Sequence, residues 1–261
     1  MIQITGFDVD KIDQSALSEL ERAILQKKLK STVVYRYDSL EALLFELNMR
    51  SNIVEAAKAL NSSRAGFATF QNSRANDQFW TRTDNGGFRQ RTDVLASDAI
   101  NDIFENSRLY AFECATAMVI ILYKATLDSI GKDTFNAYFK DLFLYDWNYD
   151  NNLKLITVEN KNEAYPGDVL YFENPDFDPK TPEWRGENAI MLADNLYFGH
   201  GIGIRTAEEM ITALNARRKP GSTTSAFLTE QIEHPDFEYL RKLEKPFTAR
   251  IGTRTYICIG L

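Results

Sequence analysis

Glu187-Asn-Ala-Ile-Met-Leu-Ala-Asp-Asn-Leu-Tyr-Phe-Gly-His-Gly-Ile-Gly203 sets two β-favouring runs, Asn188 to Leu192 and Leu196 to Ile202, on either side of Ala193-Asp-Asn195. Two such runs separated by so short a break read as an antiparallel hairpin. Pairing around that turn puts residues whose numbers sum to roughly 387 or 388 opposite each other, so Glu187 is expected to face His200. Cross-strand partners point to the same side of a sheet, so a carboxylate and an imidazole are expected to meet there. Glycines at 199, 201 and 203 surround the histidine with small residues and leave room for another element, such as a helix end, to come close.

Further strand candidates flank the hairpin at Lys154 to Val158 and Asp168 to Glu173, and a last β-like run covers Thr255 to Ile259. Thr206 and Glu209 have the spacing of a capping box that opens a helix through Leu214. The first half has a different period. Leu17, Leu20 and Ile24, then Leu40, Leu43, Leu44 and Leu47, fall at helical spacings that continue from Asn48 to Leu60, with a short strand expected over Thr32 to Tyr37. From Asn61 to Arg91 the pattern dissolves into a loop-rich stretch with an Asn85-Gly-Gly87 turn signal. Its arginines, at 64, 74, 82, 89 and 91, could form an anion-binding surface, but Asp77 and Asp84 lie among them without a periodic stripe and a solvated face is the expectation. Ser97 is expected to cap a helix carrying Ile100, Ile103 and Phe104, and Gly131 to stop the helix that follows. Helices first and antiparallel strands second predict an α+β fold rather than a wound parallel sheet. One domain over residues 1–261 is expected, helical to about 142 and sheet-rich from about 150.

With 44% apolar side chains in 261 residues, the chain has material for an ample core. A formal charge of -7 argues against gripping nucleic-acid phosphates, and no nucleic-acid partner is expected. The apolar run Ala115 to Tyr123 ends at Lys124, far short of the roughly 20 residues that span a bilayer. Met1-Ile-Gln-Ile-Thr-Gly-Phe-Asp8 lacks the basic flank, apolar core and cleavage site of a signal peptide, so no Sec-type export is expected. Two cysteines and two histidines make neither a disulfide framework nor a structural zinc pattern, and no metal or cofactor is expected.

The same scarcity shortens the search for a reactive thiol. Cys114 stands at the head of an apolar helix, where the helix N-terminus favours an anion, and a nearby imidazolium would do the same. Alone, Cys114 would be ordinary packing among Ala117, Met118 and Ile121, and His200 an ordinary strand histidine. Together with Glu187 in register they become a candidate nucleophile, its partner and the orienting acid. The other histidine, His234, sits in a polar Glu-His-Pro-Asp stretch, and Cys258 in the final β-like run reads as packing. Glu113, beside the thiol, reads either as a carboxylate favoured at a helix start or as an auxiliary acid able to replace Glu187. Phe67, Tyr145, Trp147 and Trp184 are candidate channel aromatics, Trp184 the foremost because it directly precedes Arg185-Gly-Glu.

These segments resemble the spore protein-glutamine gamma-glutamyltransferases, small calcium-independent transglutaminases of endospore-forming bacilli. The resemblance runs through Phe45-Glu-Leu-Asn-Met-Arg50, Tyr110-Ala-Phe-Glu-Cys-Ala-Thr-Ala117, Leu144-Tyr-Asp-Trp147, Gly167-Asp168, Asn174-Pro-Asp-Phe-Asp-Pro179, Trp184-Arg-Gly-Glu-Asn188, Gly199-His-Gly-Ile-Gly203 and Ser225-Ala-Phe-Leu228. It thins over the first thirty or so residues and after about Pro235. It implies a papain-like cysteine-hydrolase core, with a nucleophile-bearing helix packed on an antiparallel sheet and elaborated by N-terminal helices. It also implies Cys114 as nucleophile, His200 as its partner and Glu187 as the acid.

The implied activity is isopeptide cross-linking of protein glutamine to lysine through a thioester on Cys114, with spore coat proteins as partners. The implied place of action is the spore coat, after synthesis in the mother-cell cytoplasm without a signal peptide. Backbone amides near Cys114 would stabilise the oxyanion, and aromatic walls would disfavour water as acceptor. Two alternatives stand beside it: a papain-like amidase or peptidase that uses water, and a non-catalytic coat protein in which Cys114 is core.

Overall fold

The computed structural model describes residues 1–244 and the backbone of two further strands, Phe247–Ile251 and Arg254–Cys258. The side chain of Cys258, and Ile259 altogether, lie outside the described residues.

Helix α1 (Glu19–Lys30) opens on a full capping box between Ser18 and Glu21, and its last turn holds Lys27, Lys28 and Lys30, where the helix dipole favours cations. Helix α2 (Leu40–Ser62) runs 23 residues from its Ser39 cap, joining the two predicted helical stretches without a break. Helix α3 (Ala96–Glu105) has Leu95 at its N-cap, so Ser97 is not the expected cap. Ser97 is held instead by Asn136, whose Oδ1 accepts from its backbone N–H and whose Nδ2 donates to its hydroxyl, each at 2.9 Å.

Helix α4 (Cys114–Ile130) is buried over nearly its whole length, as an apolar sequence with little sidedness requires. It stops at Gly131, whose φ of 79° only glycine adopts without strain, and α5 (Lys132–Tyr138) follows. Helices α6 (Ala207–Asn215) and α7 (Phe237–Glu244) complete the set among the described residues, α6 with the predicted Thr206–Glu209 capping box.

The main sheet has six strands: β1 (Leu155–Glu159), β2 (Val169–Glu173), β3 (Gly186–Ala193), β4 (Leu196–Gly199), β5 (Gly203–Arg205) and β6 (Phe227–Pro235). Their order is β5-β4-β3-β2-β6-β1, every neighbouring pair antiparallel. The expected hairpin is β3–β4, with Ala189 opposite Gly199 and Ile190 opposite Phe198. Seven helices and this sheet make the mixed α+β class.

The strands depart from the expected pattern in three places. The 61–91 stretch is not simply loop, because Trp80–Arg82 and Phe88–Gln90 pair as a small hairpin around the Asn85-Gly-Gly87 turn. The strand expected over Thr32 to Tyr37 shrinks to Tyr35–Tyr37, paired in parallel with an unforeseen Ile2–Ile4. Strand β6 inserts between β1 and β2 although the sequence pattern did not show it.

Helix α4 lies between α2 and the face of the sheet at β3. Met49, Ile53, Val119, Ile120, Val169 and Ile190 are among the buried residues of the cluster that joins them. Burying each such side chain contributes about 1.5–3 kcal/mol. Phe172, Tyr197, Met210 and Leu214 form a second cluster with α6. The first residue of α4 is thereby fixed against the middle strands.

Candidate active site

Cys114 is 9% exposed and opens onto a cavity of about 430 Å³. Phe67, Phe70, Tyr171, Arg185 and Asn188 are among its walls, and Glu113 borders the thiol. The sulfur is met by Asn188, whose side-chain Nδ2 lies 3.6 Å from Sγ. Burial pushes the thiol well above its ordinary range, and the charges of Glu187 and then Glu113 push it further; the Asn188 backbone and side-chain N–H groups oppose them. At rest, therefore, this is a neutral thiol that needs a proton acceptor.

Glu113 follows the simpler of its two readings. Its Oε2 accepts from Ala115 N at 2.7 Å and its Oε1 from Thr116 N at 2.6 Å, so it caps α4 with both oxygens. Two backbone amides near the thiol are thus occupied by a carboxylate, which removes them from the oxyanion role expected of them.

Glu187 does not face His200. Three of the four β3–β4 pairs sum to 388, as in Ala189 opposite Gly199, and continuing that register past the end of β4 carries Glu187 to Gly201. Its Oε1 accepts from Gly201 N at 3.1 Å. The alternation of β3 turns Asn188 to the thiol and Glu187 toward Gly199 and Gly201. The Glu187 side chain is 1% exposed, and burial pushes its carboxyl up to about 8, with the Gly201 N–H opposing the rise and Glu113 adding to it.

His200 is not among the walls of the thiol cavity. Its Nε2 is 3.0 Å from Gly66 O, and its ring stacks on Phe112 with centroids 4.7 Å apart. Burial pushes it down to about 4, against the pull of the Gly66 carbonyl, so it is neutral at ordinary pH. No hydrogen bond joins His200 to Cys114 or to Glu187 among the described residues.

The glycines do admit close neighbours, but these are not the end of α4. A Cβ on Gly199 would stand 2.6 Å from Glu187 Oε1 and 2.7 Å from its Cγ, and one on Gly201 would stand 3.2 Å from Phe67. Gly199→Ala is expected to displace the Glu187 carboxyl, cost about 1–3 kcal/mol and lower activity at least about tenfold. Melting curves with parallel kinetics check this, and an unchanged rate would show that Glu187 does not need that position.

Phe67 is a wall of the thiol cavity, as expected. Trp184 stands behind it, stacked on Phe67 at 5.5 Å, with the Arg217 guanidinium 3.8 Å over its ring centroid. Trp147 belongs to a second cavity of about 140 Å³, which shares Tyr171 and Asn188 with the first. Tyr145 packs on Phe70 at 4.4 Å. His234 stacks on Phe237 instead, at 5.2 Å. Asn188 and Tyr171 were missed as site residues. The signal for Asn188 was its place next to Glu187 in a strand, which sends the two side chains opposite ways.

A family model described as protein-glutamine gamma-glutamyltransferase matches residues 1–244. That span takes in the first thirty residues and runs past Pro235, both of which the sequence reading had set apart. A protein-glutamine gamma-glutamyltransferase of Halalkalibacterium halodurans is 48% identical over 89% of this chain and 81% of its own length. One of Bacillus pumilus is 47% identical over 93% of this chain and 99% of its own. Among solved structures, a transglutaminase from Geobacillus stearothermophilus without its C-terminal extension superposes with a TM-score of 0.75 at 54% identity, covering 78% of this chain and 97% of that one. With a cavity built around one helix-borne thiol and these matches over most of its length, the chain belongs to the protein-glutamine gamma-glutamyltransferase family and is a transglutaminase, an acyltransferase.

Proposed function

We propose that this transglutaminase joins protein glutamine to protein lysine by an isopeptide bond through a thioester on Cys114, without calcium, and that it does so in spore coat assembly. The observation that carries the chemistry is the Cys114 thiol at the mouth of a cavity, within electrostatic reach of the buried Glu187 carboxyl, whose affinity for protons matches a base working near neutral pH. The coat assignment rests on the segments shared with the spore enzymes, and Bacillus relatives support it.

Glu187 takes the thiol proton, and the Cys114 sulfur bonds to the glutamine side-chain carbonyl carbon. Asn188 Nδ2, already aimed at the sulfur, is the nearest donor for the oxyanion that forms there. The proton passes to the departing ammonia, and the thioester remains. A lysine amine then attacks, the C–S bond breaks, and Glu187 returns the amine's last displaced proton to the sulfur. His200, neutral and bonded to Gly66, stays the second candidate for the base.

The packing of α4 on an antiparallel sheet supports a papain-like core, and the family match over residues 1–244 supports one transglutaminase unit over that span. Incorporation of a fluorescent primary amine into a glutamine-bearing protein, with ammonia release followed in parallel and a calcium chelator present, tests the reading. Labelling that Cys114→Ala abolishes is expected. Ammonia without labelling would make the protein a hydrolase in practice, and loss of labelling on chelation would overturn the calcium-free mechanism.

A further inference from the structure

The second cavity holds a carboxyl with no cation opposite it among the described residues. Strand β6 carries Glu233 between Val169 on β2 and Thr157 on β1. One carboxylate oxygen, Oε1, accepts from Gln231 Nε2 at 2.6 Å. The other, Oε2, is buried and makes no well-aligned hydrogen bond, the Trp147 indole being the donor that acts on this carboxyl from beside it. No lysine or arginine lines that cavity among the described residues, and Trp147 flanks the carboxyl within it. A carboxylate oxygen served only by a neutral, poorly aligned indole keeps the capacity to accept from a charged donor.

The position says which donor. Asn188 and Tyr171 form the wall between this cavity and the one containing Cys114, and Asn188 Nδ2 is 3.6 Å from the sulfur. The thiol cavity is about 430 Å³ and sets Arg185 among Glu113, Asp146 and Glu183, whereas the second is about 140 Å³ and has a single carboxylate beside an indole. A narrow slot with one anion and one aromatic face suits an alkylammonium, whose methylenes lie along the ring while its charge meets the carboxylate.

Resting on the proposed transfer reaction, we infer that the cavity bounded by Trp147, Gln231 and Glu233 is the entry for the amine acceptor, and that Glu233 binds its ammonium and takes the proton it must lose before it can attack. In so confined a place the neutral acid and neutral amine are favoured over the ion pair more than they are in water. The ammonium gives one proton to the Glu233 carboxylate. The freed nitrogen lone pair bonds to the thioester carbonyl carbon, and the C–S bond electrons go to the Cys114 sulfur. The second proton passes through Glu187 to that sulfur, leaving an amide, a thiol and a protonated Glu233 that returns its proton to solvent.

The test compares two acceptors on the full chain at about pH 7.5, a cadaverine-type amine that is cationic there and hydroxylamine that is mostly uncharged. Glu233→Gln, which keeps the shape, is expected to raise KM for the cationic amine about tenfold, the effect of losing one charge-assisted contact. KM for hydroxylamine, KM for the glutamine donor and the rate of ammonia release without amine are expected to stay as in the parent. An unchanged KM for the cationic amine would overturn the inference, as would an equal rise for hydroxylamine, which would signal a distorted site. If the parent protein incorporates neither amine, the transfer reading itself fails and the acceptor site with it.

Discussion

Glu187→Gln is expected to lower the rate of acyl transfer by about 10²- to 10⁴-fold, the usual yield of a positioned general base, while making the folded protein more stable at neutral pH. The two effects have one cause. Burial raises this carboxyl to about 8 in the fold from an ordinary 4.5. Below the lower value both the folded and unfolded chains carry the proton, and no stability is lost. Between the two values the unfolded chain ionises and the folded chain does not, so the cost grows with pH and levels off above about 8. At about pH 7 that cost is on the order of 2–4 kcal/mol. Glutamine copies the protonated acid, keeps an acceptor for Gly201 N and never ionises.

The melting temperature of Glu187→Gln should therefore match the parent at about pH 4 and exceed it at about pH 7.5. The activity profile reads the same group. Turnover by the parent should rise through about pH 8 as Glu187 becomes able to accept the thiol proton, and the variant should lose that limb. If His200 were the base, the limb would lie near its own value of about 4, and Glu187→Gln would keep most of its activity. That outcome would transfer the role to His200.

The difference between the expected and observed site is one residue of register. A hairpin sum of 387 places Glu187 opposite His200, and a sum of 388 places it opposite Gly201, with every side chain on the other face. The turn residues alone do not separate these, because the bulge between Met191 and Ala193 absorbs the odd residue and is decided by packing. What was legible was local: the Thr206 capping box, the Gly131 stop, the α4 apolar run and the β3–β4 pairing. What was not legible depended on partners far away in sequence. Strand β6 breaks its own alternation between Leu228 and Ile232 and is held by strands about sixty or seventy residues earlier, with which only the folded chain brings it into contact. Helix α7 packs on α2 from nearly two hundred residues away and on α4 from more than one hundred. The occupied amides at Ala115 and Thr116 were open to reading from Glu113 as an N-cap, although the conflict with an oxyanion role shows only when both oxygens are placed.

The largest stability effect is expected from Asp168, which sequence periodicity gave no reason to single out. Lys28 Nζ meets Glu46 Oε1 at 2.8 Å, Arg50 Nε meets the same oxygen at 2.7 Å, and Arg50 NH1 meets Asp168 Oδ1 at 2.6 Å. All four side chains are nearly or wholly buried, two cations with two anions. Tyr37 donates to Glu46 at 2.7 Å, the Tyr165 N–H donates to Asp168 Oδ2 at 2.7 Å, and Lys28 Nζ lies 4.0 Å over the Tyr35 ring. The network ties α1 and α2 to the start of β2, the strand that carries Tyr171. Its worth lies in being complete, because removing one member strands the opposite charge. Asp168→Asn leaves Arg50 with half its compensation, and should cost about 3–5 kcal/mol, or roughly 10 °C in melting temperature. The loss should be coupled: Glu46→Gln and Asp168→Asn together should cost more than the sum of the two, since together they leave both buried cations without an anion. Acid should mimic the first of these. Burial alone would raise the Glu46 carboxyl, but Lys28 and Arg50 outweigh it and hold it below the carboxylate range. Its contribution is therefore complete above its unfolded value near 4.5 and is lost as the pH falls toward the lower folded one. A cost for Asp168→Asn under about 1 kcal/mol would place the pair in the class of exposed ion pairs and remove its part in holding the cavity wall.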